Sequence, residues 1–356
     1  MVSSKNQKTS RVAEAVSVYF LPVSKIDSAS IKKVPIVDQF LRSFPANSKI
    51  GIKVHFGEQG NRNYLRPEYV KMIVDLVKGY QLQPFLIETS TLYRGARQNR
   101  KSHIALAREH GFGPELIGAP ILILDGERGE GFAEVKINLP YVKVAKVAKD
   151  LNQFDGLINL AHFKGHFVVG FGGVIKNIAM GLAAKGGKLA MHSQTKPSVK
   201  KEKCQKCETC LTVCPVNAIV IGADGAKINK HCIGCASCVE ICPENAIKIN
   251  WNETSPATQK KMAEYAWAIL KNRKCLHFNY ALKITPNCDC MNIAEMPIMP
   301  DIGLFISLDP VANDRAVFNL TKEKINELYP QLDPTILLDY AEEIGLGKNK
   351  YSLITI

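Results

Sequence analysis

From residue 16 onward the chain alternates short apolar runs with amphipathic stretches. The runs "VSVYFL", "IGIKVHF", "FLIET", "ILILD" and "LINLA" have the length and β-branched content of strands. Between them, "PEYVKMIVDLVKGY", "HIALAREHGF" and "VAKVAKDLNQF" have the spacing of helices, the first opened by Pro67 and closed by Gly79. Strand and helix in alternation predict an α/β fold, a mostly parallel sheet covered by helices. Ligands of such sheets sit in the loops at the carboxyl ends of the strands.

The pattern changes at about Pro197, where the basic "KPSVKKEKC" leads into a cysteine-rich segment, and changes back at about Trp251. A helix "TQKKMAEYAWAIL", the apolar run "GLFISL", two further helical stretches and a strand-like "YSLITI" follow. These pieces are too few for a separate domain. The expected organisation is an α/β domain in two parts, 1–199 and 251–356, with a small α+β insert at 200–250.

Within the insert the chain repeats itself with a period of 28 residues: "CQKCETCLTVCPVNAIVI" and "CIGCASCVEICPENAIKI". Three cysteines spaced three apart on a loop entering a helical turn can surround one face of a cubane, and the proline after the fourth sends the chain away. Structural zinc usually takes its four ligands as two separated pairs. The run resembles that of bacterial two-cluster ferredoxins, in which the fourth cysteine of each repeat serves the other repeat's cluster. That resemblance implies two 4Fe–4S clusters, one on Cys204, Cys207, Cys210 and Cys242, the other on Cys232, Cys235, Cys238 and Cys214. Whether they would relay electrons or only hold the fold is open at this stage, with electron transfer the expectation.

Ahead of the insert, "HFKGHFVVGFGGVIKN" should turn from a strand into the helix "VIKNIAMGLAA" through Gly170, Gly172 and Gly173. Glycines there permit close backbone approach, so that successive N–H groups can face an anion at the helix start. Lys176 falls in the first helical turn, where the helix dipole opposes a cation and an acidic ligand or partner would compensate. No Gly-Lys-Ser/Thr closes the loop, which excludes the Walker pattern. His162, Lys164 and His166 precede the turn and His192 follows it, a candidate ligand or acid–base set; without them the bland reading is a sharp turn with a solvated lysine and core histidines.

The stretches "KVHFGEQGNRNYLRP", "ETSTLYRGAR", "HFKGHFVVGFGGVIKNIAMG", the cysteine repeats, "CDC" and "PDIGLFISLDPVAND" together resemble the iron-sulfur members of the family catalogued as domain of unknown function 362. The glycine loop also resembles, more distantly, that of nickel-dependent lactate racemases. Those enzymes have a histidine before a Gly-aromatic-x-Gly loop, then a lysine that carries a nickel-pincer cofactor, then a histidine that ligates nickel. His166, Gly170-Phe171-Gly172-Gly173, Lys176 and His192 match those steps, while Met180-Gly181 stands in place of Pro-Gly and the cysteine insert has no counterpart. The resemblance implies a pocket for an anionic or nickel-type cofactor with His166, Lys176 and His192 as its reactive groups.

Other residues add to the picture. Arg94, Arg97 and Arg100, beside Lys101, follow a strand end and offer guanidinium groups for phosphate or carboxylate, or else a solvated helix start. Of these, Arg94 is placed with the glycines in the pocket, and His55 is expected in the core. Cys288 and Cys290, with Cys275 upstream, offer a third metal or redox site, or free thiols. Asp301, Asp309 and Asp314 line the same cleft or cap helices and turns.

Composition limits the function classes. With 356 residues and 46% hydrophobic content the chain can bury a large core. Eleven cysteines, crowded between 204 and 242, fit thiolates on metal in a reducing compartment. Neither an apolar leader in the first twenty residues nor a membrane span is visible, so a cytoplasmic location is expected. The formal charge of +13 suits an anionic partner, but the absence of a long basic run argues against nucleic acid. The leading expectation is an iron-sulfur redox protein passing electrons between two clusters and a ligand at the glycine loop, with a redox protein or an anionic small molecule as partner. The alternatives are a non-catalytic electron carrier, a racemase- or isomerase-like enzyme, and a nucleic-acid protein with structural clusters.

Overall fold

A computed structural model describes residues 15–356 of the chain. The expectation of no apolar leader falls largely on residues 1–14, outside that range. Eight strands form one sheet: β1 (Val16–Pro22), β2 (Lys49–Val54), β3 (Gln83–Glu88), β4 (Ile121–Ile123), β5 (Gly156–His162), β6 (Cys275–Ala281), β7 (Gly303–Ser307) and β8 (Tyr351–Thr355). Their spatial order is β8-β1-β7-β6-β5-β2-β3-β4. Only β7 runs against its neighbours β1 and β6; the other pairings are parallel. The fold is therefore mixed α/β with a mostly parallel sheet, as the alternating pattern predicts.

Both faces of the sheet are covered, which is why its central strands read as near-continuous apolar runs. On one face helix α1 (Pro67–Gly79) lays Val70, Ile73, Val74 and Val77, a single stripe at helical spacing, against Ile50, Ile52 and Val54 of β2. Each of these fully buried side chains contributes roughly 1.5–3 kcal/mol of transfer free energy. On the other face lie α2 (Val174–Leu182), α3 (Ser255–Leu270), α4 (Pro310–Leu328) and α5 (Thr335–Glu343), whose apolar residues share a core with Leu157 and Phe305. The chain runs β2 to β3 to β4 toward one edge, then returns to place β5 and β6 on the other side of β2. The order thus reverses between β2 and β5, opening a crevice at their carboxyl ends.

One predicted helix is not there. "VAKVAKDLNQF" forms a strand, Val144–Ala148, paired antiparallel with Phe132–Lys136, then a tight 3-10 turn over Lys149–Gln153. Val144, Ala145, Val147 and Ala148 fit either period, and the neighbouring strand decides. The segment between Pro197 and Trp251 has two small antiparallel pairs, Ser198–Val199 with Ile247–Lys248 and Ile219–Gly222 with Gly225–Ile228, and its own apolar cluster around Ile219, Val239 and Ile247. Among the described residues no helix is long and apolar enough to cross a membrane.

Candidate functional site

A cavity opens at the reversal point, where ligands of open parallel sheets bind. It is lined by the loops that leave β2, β3, β5 and β6, by the start of α2 and by His192 at the end of the helix Lys185–His192. His166, Lys176, His192, Gly172 and Gly173 all reach it, from three separate elements. Gly170 and Arg94 do not. Gly170 takes φ +83° in the turn of the hairpin pairing Lys164–His166 with Gly170–Gly172 and packs on Pro334. Arg94 turns away, donating to the carbonyls of Val239 and Cys242 in the cysteine-rich segment.

The start of α2 differs from the expectation of a cradle for a bound anion. The free amides of Val174 and Ile175 donate to the carboxylate of Asp314, at 2.7 and 2.9 Å, and Asn279 donates to it at 2.9 Å. Gly173 is what admits that carboxylate, since a Cβ there would stand 2.0 Å from Asp314 Oδ1. Burial pushes the Asp314 carboxyl up to about 7 against these hydrogen bonds. Asp309 caps α4 through Val311 and Ala312, and Asp301 accepts from the amide of Lys283; neither lines the cavity.

Lys176 instead sends its ammonium into the cavity, where Nζ donates to Cys288 Sγ at 3.1 Å. Burial works against its charge, but Cys288 and Cys290 beside it hold its pKa above the ordinary value. Behind the thiols, Asp289 lies between His162 Nδ1, 2.9 Å away, and the Lys164 ammonium. His162 Nε2 faces the Leu282 carbonyl at 2.6 Å. His55 lines the cavity rather than the core, with Arg97 Nη1 2.9 Å from its Nε2. Arg97 is neither solvated nor free for a ligand: it is buried against Glu58 and Tyr93. Arg100, at the start of an eight-residue helix, pairs with Glu127 at the surface. Burial, followed by the surrounding cations, lowers His55, His166 and His192, the last to about 4, so these rings are neutral at pH 7.

Several site groups carry no motif. Lys53, fully buried on β2, donates to Glu88 (2.7 Å) and Asn177 (2.9 Å), and Asn177 donates to Asn159 and to the Leu160 carbonyl. Gly181 leaves room for that lysine; a Cβ there would lie 2.0 Å from Lys53 Cε. Lys188, lowered to about 8 by burial, donates to Thr89 and to the Ala183 carbonyl. The one available signal was a charged residue inside the apolar run "IGIKVHF". With Lys164, Lys176, Lys188 and Arg97 against the single carboxylate of Glu88, the lining is electropositive.

The eight repeat cysteines lie around two separate voids. One is lined by Cys204, Cys207, Cys210 and Cys242; the other by Cys214, Cys232, Cys235 and Cys238. Backbone amides of Ala226, Ala218 and Ala246 donate to the sulfurs of Cys204, Cys214 and Cys242 at 3.3, 3.1 and 3.3 Å. Non-glycine residues with positive φ concentrate here, at Lys206, Glu208, Asn217, Ala236 and Asn245. Among the described residues no group of three or more His, Cys, Asp or Glu side chains converges on a point where a single metal ion could sit.

Comparison with known proteins gives one family. The model described as domain of unknown function 362 matches residues 50–319. No curated protein sequence matches the chain. Among solved structures it is similar to the lactate racemase apoprotein from Thermoanaerobacterium thermosaccharolyticum, with 14% identity, a TM-score of 0.38, and coverage of 75% of this chain and 51% of that one. It is also similar to a protein from Thermotoga maritima, with 12% identity, a TM-score of 0.41, and coverage of 88% and 61%. The chain thus spans about half the length of the racemase.

Proposed function

The chain belongs to the family described as domain of unknown function 362, and from that premise we propose that it is an iron-sulfur redox protein acting on an anionic small molecule. In this reading the segment 200–250 is an insert that holds two 4Fe–4S clusters, and the cavity at the carboxyl ends of β2, β3 and β5 holds the ligand. The observation that carries it is the sorting of eight thiols around two voids, four to each, with the fourth cysteine of each repeat beside the other repeat's triplet. A single zinc ion draws sulfurs to about 2.3 Å from one point; thiols ringing a void instead suit a group of several atoms.

The surroundings fit such a group. Amides aimed at Cys204, Cys214 and Cys242 stabilise negative charge on sulfur. The Lys185 ammonium, buried without a hydrogen-bond partner, stands close enough to Cys235 to feel its charge and 3.8 Å from Glu240. When bound, 4Fe–4S clusters supply one-electron transfer. Around the ligand, the chain's own groups supply charge: Lys176 and Lys164 attract an anion, and His166 and His192 stay neutral at pH 7. Leu92 lines the cavity and packs in the same apolar cluster as Cys210, Cys238 and Cys242, so one loop touches both regions.

A second reading, an isomerase-like enzyme with a cofactor attached at Lys176, draws on the meeting of His166, Lys176 and His192 in one cavity. An ammonium held protonated beside Cys288 is a poor nucleophile, which favours the first reading; an adduct on Lys176 in native mass spectra would reverse that preference. The primary test is anaerobic reconstitution with iron and sulfide analysis, expected to give about eight of each per chain. Cys214→Ser should abolish the electron paramagnetic resonance signal of one cluster and spare that held by Cys204, Cys207, Cys210 and Cys242. A chain that takes up only zinc, or no metal, overturns the proposal.

A further inference from the structure

The turn Cys288-Asp289-Cys290 holds two thiols that no cluster repeat uses, and both line the basic cavity. Each of its three residues is fixed by a different element. Lys176 of α2 donates to Cys288 Sγ. His162 and Lys164, just past β5, clamp the Asp289 carboxylate, and the Glu58 amide donates to the Asp289 carbonyl at 2.9 Å. Tyr93, in the loop after β3, donates its hydroxyl to the Cys290 carbonyl at 3.0 Å. The carbonyl contacts and the Asp289 clamp would hold the turn equally well with alanine at 288 and 290, so they do not explain the thiols.

We propose that Cys288 and Cys290 form a redox-active dithiol in the wall of this cavity, and that it exchanges with small anionic disulfides. The inference stands on the cavity alone and needs no cluster. Three features carry it: the thiols sit two residues apart on one fixed turn, a lysine ammonium touches the first of them, and both line the cavity. The two sulfurs are unequal. Its neighbour Cys290, then Lys176 and Lys164, hold Cys288 well below the usual thiol range, and Cys290 is held above it by Cys288 and by burial. Cys288 is thus the attacking thiolate and Cys290 the resolving thiol. Cys275 is the contrast, buried in the core near His277 with no cation beside it and its thiol pushed up by burial.

The exchange balances without another reactant. The Cys288 thiolate attacks one sulfur of the disulfide, the S–S bond breaks, and the first thiolate leaves while a mixed disulfide forms on Cys288. Cys290 then gives up its proton and attacks the Cys288 sulfur, releasing the second thiolate. The dithiol has lost two electrons and become the Cys288–Cys290 disulfide, and the substrate disulfide has gained them as two thiols. Lys176 is a positioning residue that keeps Cys288 ionised.

Oxidised glutathione, an anionic disulfide, is the probe. The folded chain, prepared anaerobically and reduced, is mixed with it at pH 7, quenched in acid and digested with trypsin. Cys288 and Cys290 fall on one peptide, residues 284–315, apart from the other nine cysteines. Wild type should yield that peptide lighter by two hydrogens, and Cys290→Ser should stop at a glutathione adduct on Cys288. Lys176→Gln should slow the reaction at pH 7 by about tenfold or more and move its pH profile upward, and Lys176→Arg should restore most of the rate. Thermal melts identify any variant that is not folded. An adduct on Cys290 rather than Cys288, oxidation no faster than that of Cys275, or a Lys176→Gln profile identical to wild type overturns the proposal.

Discussion

The cavity and the cysteine-rich segment are built in opposite ways. In the cavity, groups far apart in the chain converge on the edge of a rigid sheet: Lys176 meets Cys288 across 112 positions, and Lys53 meets Asn177 across 124. Their charges are buried and paired. In the segment from 204 to 242 the sulfurs come from two short repeats, the backbone bends through positive φ, and the apolar cluster beneath is small. The cavity owes its geometry to the fold, whereas the segment has little beneath its thiols besides that small cluster. Perturbations should therefore separate the two.

The largest effect is expected in the sheet. Lys53→Met removes one half of a fully buried ion pair and leaves Glu88 uncompensated, which costs about 3–5 kcal/mol. Replacing both partners, Lys53→Met with Glu88→Gln, should recover much of that loss, as removal of a whole buried pair often does. Denaturant melts measure both. Iron uptake per folded chain should be unchanged, because no Lys53 contact reaches the cysteine segment; parallel loss of stability and iron would mean that the two regions are one cooperative unit.

The next effect is tied to pH. Asp314 titrates near 7 in the folded chain and near 3.9 when unfolded. Between those values the folded state keeps a proton that the unfolded state has lost, so this group's contribution to stability falls as pH rises from about 4 to 7 and is level above. Asp314→Asn removes that slope. It should cost about 1 kcal/mol at pH 5, where one acceptor for the Val174 and Ile175 amides is lost, and turn stabilising by pH 8, because wild type loses about 1.4 kcal/mol per pH unit up to 7. Thermal melts across that range check it; an unchanged slope would mean the carboxyl is ionised throughout.

The legibility of the two regions differs for the same physical reason. Eight cysteines at a fixed period advertise a common role in the sequence itself, and the alternation of runs such as "LINLA" with amphipathic stretches gives the parallel sheet. His166, Lys176 and His192 stand out through the glycine loop between two of them. What could not be read was convergence: that Asp314, on α4, would occupy the amides at Val174 and Ile175, or that Arg97 would spend its guanidinium on Glu58. The strand Val144–Ala148 was hidden likewise, because its partner Phe132–Lys136 decides a pattern that fits both periods.

The smallest effect is expected where the two regions touch. Arg94 is exposed, yet its guanidinium donates to the carbonyls of Val239 and Cys242, tying the loop after β3 to the helix that carries Cys238. Water competes for such a contact, so Arg94→Ala should lower global stability by only about 0.5–1.5 kcal/mol. The change should be local. Amides of residues 236–246 should exchange hydrogen faster while those of β2, β3 and β5 keep their protection, since local opening follows the contacts that a segment loses. Exchange that accelerates equally in the central strands would show that the cysteine segment supports the sheet. Exchange unchanged in 236–246 would show that contacts other than this arginine keep the segment in place.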